Sequence, residues 1–125
     1  MTWAFGIRSM VEQLSFSTEE TILVGIWKGL LHAVKHEKVS LLFFYNEGHP
    51  LRELIIKKIA ATEKTANAMK AVLDGAPAVT VVAGFDEMID VLNTIAPKVS
   101  GRDLELIYEE RAGLISLKEK FKHLD

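Results

Sequence analysis

The chain has 125 residues, 49% of them hydrophobic and 26% charged, with no cysteine and a formal charge of −2. This is the profile of one soluble globular domain that folds unaided, and it excludes disulfides, thiolate nucleophiles and Cys-ligated zinc or iron–sulfur centres. With 15 Lys and Arg against 17 Asp and Glu, no broad basic field exists to attract nucleic acid.

Trp3, Phe5 and Ile7 alternate with small residues and predict a short strand. Arg8 interrupts this apolar stretch, unlike a signal peptide, and no run approaches the roughly 20 residues of a bilayer span. The reading is therefore of a cytoplasmic protein without a membrane partner. Ser17-Thr18-Glu19-Glu20 has the spacing of a capping box and opens a predicted helix from Thr18 to His36. Its apolar residues Leu23, Ile26, Trp27, Leu30, Leu31 and Val34 are widened by Ile22, Val24 and Ala33 to about half the circumference. Gly25 and Gly29 add room for a close neighbouring backbone. A helix packed on two sides follows, with a subunit interface supplying the second contact.

Val39 to Tyr45 is a continuous β-branched and aromatic run that predicts a strand buried on both faces, as in a parallel sheet. The turn Asn46-Glu47-Gly48-His49-Pro50 follows, and Pro50 suits the first turn of a helix. Leu51, Leu54, Ile55, Thr62, Ala66, Met69, Val72 and Leu73 carry helical spacing to a stop at Asp74-Gly75, with room for a break near Ala60 to Thr65. Pro77 to Ala83 predicts a second buried strand closed by Gly84, after which Asp86 caps a helix through Met88, Ile89, Leu92 and Ile95 to Pro97. Leu104, Leu106 and Tyr108 alternate with Glu105 and Glu109 as in an edge strand, and Leu114, Leu117, Phe121 and Leu124 form a terminal amphipathic helix. The alternation of strand and helix predicts an α/β fold: a three-layer sandwich with a mostly parallel sheet of four or five strands, helices on both faces, and right-handed crossovers.

From Ser17 to Leu92 the layout resembles the DsrE-like sulfur-relay family, within the flavodoxin-like α/β group. The resemblance rests on a long helix, then SLLFFYNEG as a strand ending in an acidic-glycine turn, then AVTVVAGFDEMIDVL as the next strand and helix. It implies a small subunit that assembles with copies of itself or with homologues. The cysteine that passes sulfur in active members is absent, so the resemblance implies the fold without the persulfide chemistry and assigns no catalytic residue.

In an open parallel sheet, ligands bind outside the carboxyl ends of the strands. That rule would gather Arg8, Asn46, Glu47, His49, Gly84, Asp86, Glu109 and Arg111 on one rim. His49 is the candidate acid or base, because an imidazole titrates near neutrality; it also fits a cap at a helix entrance. Arg8 or Arg111 would contact an anion. Asn46 to Gly48 equally make an ordinary turn, Asp86 an N-cap, and Gly84 a strand end or a point of ligand approach. Glu109, Glu110 and Arg111 read either as a cation or polar-ligand site, with a carboxylate pair raising one pKa, or as a solvated cluster closing an edge strand. His32 and His36, four apart on a helix, have the spacing of a metal pair without a recognisable third ligand. Dinucleotide, phosphate-loop, zincin and nucleophile-elbow motifs are all missing, and no motif names a cofactor. Three functions remain: a non-catalytic subunit acting as a homo-oligomer through a protein partner or small ligand, a small-molecule binder or enzyme working at the rim through His49, and metal binding through His32 and His36.

Overall fold

The computed structural model describes residues 19–122, and among them every regular element is helical. Helix α1 spans Glu19–Phe44, α2 Arg52–Leu73, α3 Val79–Ile95 and α4 Gly101–Lys122, with a 3-10 turn at Ala96–Lys98 between the last two. The α/β sandwich, the parallel sheet and the DsrE-like and flavodoxin-like resemblance are therefore overturned. The segments read as strands at 39–45, 77–83 and 104–108 lie largely within α1, α3 and α4. The strand predicted at Trp3 to Ile7, the Ser17 cap, Arg8 and Leu124 fall outside the described residues.

The reason lies in which side chains point inward. Along α1 the buried residues are Ile26, Leu30, Ala33, Glu37 and Ser40, a helical alternation of four and three. The polar Glu37 and Ser40 sit inside, while Val39, Leu42, Phe43 and Phe44 face out. The outward apolar residues fill in the gaps of the helical pattern and make it look like a doubly buried strand. In α3 the buried series Val81, Phe85, Met88, Leu92 and Ile95 is equally regular, and Val79 is exposed. In α4, Ile107, Glu110, Leu114, Leu117 and Phe121 form the inner stripe. The β-branched composition of 79–82 lowers helix propensity by only tenths of a kcal/mol per residue, less than burying one such stripe returns.

The predicted limits of α2 hold. The helix runs unbroken through Ala60 to Thr65 and stops at Leu73, where Gly75 adopts φ +102° and the Ala76 N–H bonds the Ala71 carbonyl at 2.9 Å. A glycine reaches that left-handed conformation without the steric penalty of a Cβ. Short connections make successive helices antiparallel neighbours. Cross-helix pairs agree: Asp86 meets Lys118 and Asn93 meets Arg111, so numbers rise on α3 as they fall on α4. One apolar core extends through all four helices, from Leu30 and Ile55 to Phe85 and Phe121.

Gly84 marks the closest approach of α2 and α3. A Cβ built there would overlap the Thr65 hydroxyl and lie 3.0 Å from Thr65 Cβ and 3.1 Å from its Cα. Thr65 cannot easily turn aside, because its hydroxyl donates to the Ala61 carbonyl at 2.7 Å. Gly84→Ala is expected to destabilise the protein by about 1–2 kcal/mol: overpacking against backbone costs up to about 3 kcal/mol, offset by roughly 1 kcal/mol of helix propensity. Urea denaturation gives the sign directly, since a substitution acting through propensity alone would raise the midpoint.

Candidate functional site

The residues assigned to one rim are distributed over separate elements, because the sheet that would have gathered them does not exist. Asn46, Glu47 and His49 lie on the α1–α2 connection, Gly84 and Asp86 on α3, and Glu109 and Arg111 on α4. Asp86 is no N-cap: it sits in the second turn of α3 and pairs with Lys118 of α4. Arg111 donates to Asn93 at 2.8 Å and lies over the Tyr108 ring at 4.7 Å. Glu109 approaches Arg102 at 3.9 Å. His32 and His36 stack at 6.4 Å, and no group of three potential metal ligands occurs among the described residues.

His49 keeps the capping role. Its Nδ1 accepts the Leu51 N–H at 3.0 Å, satisfying an amide at the entrance to α2, and its ring packs edge-on against Tyr45 at 4.9 Å. A neutral His49 thus carries its proton on Nε2. The imidazole borders a recess of about 220 Å³ with Phe44, Tyr45, Leu51 and Asp103, none of them grouped with it from the sequence. Burial, assisted by the Asp103 charge, pushes the Tyr45 hydroxyl up to about 12, so it stays protonated at neutrality.

A second constellation lies deeper and has no counterpart in the sequence reading except Glu110. Lys58 of α2 is fully buried, and its Nζ donates to Glu37 Oε1 of α1 at 3.0 Å and to Glu110 Oε1 of α4 at 2.8 Å. Thr62, one turn along α2, lies 3.4 Å from the same nitrogen. Its hydroxyl stands 2.8 Å from the Lys58 carbonyl and 3.1 and 3.2 Å from the two Glu37 oxygens. All four side chains are excluded from solvent. Among the described residues, Glu110 Oε2 has no hydrogen-bond partner.

Two carboxyls and one ammonium make an odd charge count in a medium that penalises net charge. Burial raises the pKa of Glu37 to about 7, opposed by Lys58 and helped by Glu110. Burial likewise raises Glu110, again opposed by Lys58. Burial pulls Lys58 downward, but Glu110 and Glu37 together outweigh it and its pKa ends above the usual lysine value. The cluster therefore carries a full positive charge on Lys58 and retains a carboxyl proton well above the ordinary glutamate range, shared within a pair that titrates as a unit. At Glu110 the solvated-cluster reading gives way to a buried carboxyl, raised by burial rather than by repulsion from Glu109. The legible signal was positional: Glu37, Lys58 and Glu110 each occupy the inner stripe of a helix. No protein-family model, no curated protein and no solved structure matches the chain, so its fold and its buried cluster rest on its own residues.

Proposed function

We propose that the protein is a non-catalytic helical subunit that assembles with a second copy of itself through the outer face of α1. The observation that carries this reading is the exposure of Val39, Leu42 and Phe43, three and four apart on one face, at 51%, 70% and 68%. They amount to on the order of 350 Å² of mostly apolar surface, at about 150–250 Å² per large side chain. Two copies would bury about 700 Å² from these residues, and the surrounding rim supplies the rest of the roughly 1,000 Å² that a specific interface needs.

The surroundings suit a twofold contact, in which one patch must complement itself. On the Leu42 side of the patch lies a recess of about 510 Å³ lined by Lys38, Leu41, Leu42, Asn46, Glu47 and Arg52. A knob, a hollow and charges of both signs on the same patch allow each copy to supply what the other lacks. Among the described residues no helix is long and apolar enough to cross a membrane, so a bilayer span does not account for the exposed residues of α1.

Sedimentation equilibrium at tens of micromolar tests the proposal. Wild type is expected at twice the monomer mass. Phe43→Glu is expected to weaken association by about 30-fold or more, as for a central aromatic contact, with helical content unchanged because Phe43 is 68% exposed. A monomeric wild type, or a dimer indifferent to Phe43→Glu and Leu42→Glu, would remove the reading.

A further inference from the structure

We propose that Glu37, Lys58, Thr62 and Glu110 form a proton-dependent clasp, which secures α1 to α2 and α4 while one buried carboxyl is protonated and weakens when that proton leaves. This goes beyond self-association, since the cluster faces the core and the apolar patch faces outward.

The geometry accommodates both protonation states. Thr62 has one proton and two lone pairs. When Glu37 is protonated, its O–H is donated to the Thr62 oxygen, whose own proton goes to the Lys58 carbonyl 2.8 Å away. When Glu37 is ionised, the Thr62 hydroxyl donates to the carboxylate at 3.1 Å. The Glu37–Thr62 hydrogen bond survives the change, while the Thr62 bond to the Lys58 carbonyl and the charge balance do not: Lys58 balances one carboxylate, and the second becomes an uncompensated interior charge. Glu110 cannot absorb it, because among the described residues its Oε2 has no donor.

Among the described residues, the charged groups around the cluster are engaged with other partners or turned to solvent. On α1, Lys38 is exposed and pairs with Glu63 of α2, and His36 is half-buried. On α2, Lys64 turns outward to Glu87 of α3. On α3, Asp86 is held by Lys118 of α4 and Asp90 is exposed. On α4, Glu109 lies beside Arg102.

The direction of the pH effect follows from linkage. Glu37 moves from an ordinary 4.5 to about 7 on folding, so between those values the native state holds a proton that the unfolded state has released. Stability therefore falls as pH rises through this window and levels off above it, with a change of up to about tenfold in the folding equilibrium constant per pH unit. Glu110 is raised in the same direction, and because the two carboxyls titrate as a unit the window belongs to the pair.

Urea denaturation of wild type and Glu37→Gln between pH 5 and 8 tests the clasp. Glutamine has the shape of the protonated acid and does not titrate. The folding constant of wild type is expected to fall relative to the variant by about tenfold or more across that range, with the variant the more stable of the two at pH 8. A constant ratio between them would overturn the proposal. Carbon-13 NMR of the Glu37 and Glu110 side-chain carboxyls provides a reading that needs no variant: a titration well above the ordinary glutamate range at either one supports the clasp, and ordinary glutamate titrations at both sink it.

Discussion

Replacing Lys58 with methionine is expected to destabilise the protein by about 3–5 kcal/mol at pH 8, the range found when one member of a buried ion pair is removed. The methionine fills similar space, so the loss is electrostatic: Glu37 and Glu110 are left facing each other without the ammonium that bridges them at 3.0 and 2.8 Å. At pH 5 both carboxyls can protonate, and the loss is expected to shrink. Replacing all three, as in Glu37→Leu with Lys58→Met and Glu110→Leu, is expected to recover wild-type stability or exceed it by about 1–4 kcal/mol, because no buried charge remains. Chemical denaturation of both variants at the two pH values checks this. A single variant as stable as wild type would mean that Lys58 reaches water. A triple variant no better than the single would place the loss in packing rather than charge.

Phe85→Ala is expected to cost about 3–5 kcal/mol, the range for emptying a buried phenylalanine site. Phe85 is wholly buried on α3, with its ring 5.7 Å from that of Phe121 on α4. Its neighbours Gly84 and Thr65 already bring α2 and α3 as close as their backbones allow, which limits collapse into the vacated space. Val79→Ala supplies the contrast. In a strand buried on both faces Val79 and Val81 would be equally sensitive; on the helix Val81 is buried and Val79 is 64% exposed, so Val79→Ala is expected to change stability by no more than about 0.5 kcal/mol. Melting temperatures of Val79→Ala and Val81→Ala give the comparison, and equal losses would restore the strand.

The contrast between Val79 and Val81 also explains where the sequence was readable. The stop at Asp74-Gly75 is legible because only a local conformation is at stake: the chain must turn left-handed, and glycine does so most easily. The start of α2 near Pro50 and the stripe Leu114, Leu117 and Phe121 are local in the same sense. His49 was recognised both as a cap and as a proton carrier, and the bond from Leu51 N–H satisfies the first role. The 39–45 segment failed because its sequence inverts the usual rule, with Glu37 and Ser40 inside and Leu42, Phe43 and Phe44 outside. A pattern method assumes that apolar residues mark the interior, and here an exposed apolar face sits beside a buried polar cluster on the same helix. The predicted sheet, its rim and the family resemblance all depend on strands at these segments, and all fall with them.

Composition, charge, the missing cysteine and the turn residues therefore determined by themselves that the chain folds without disulfides, lacks thiolate chemistry and ends α2 at Leu73, since each depends on residue identity or on two or three neighbouring dihedral angles. Helix against strand at Phe43 and Val81, and the meeting of Glu37, Lys58 and Glu110 across three helices, were decided only by tertiary structure. Both depend on what the far side of each segment touches, and a buried charge is tolerable only once its distant partners arrive.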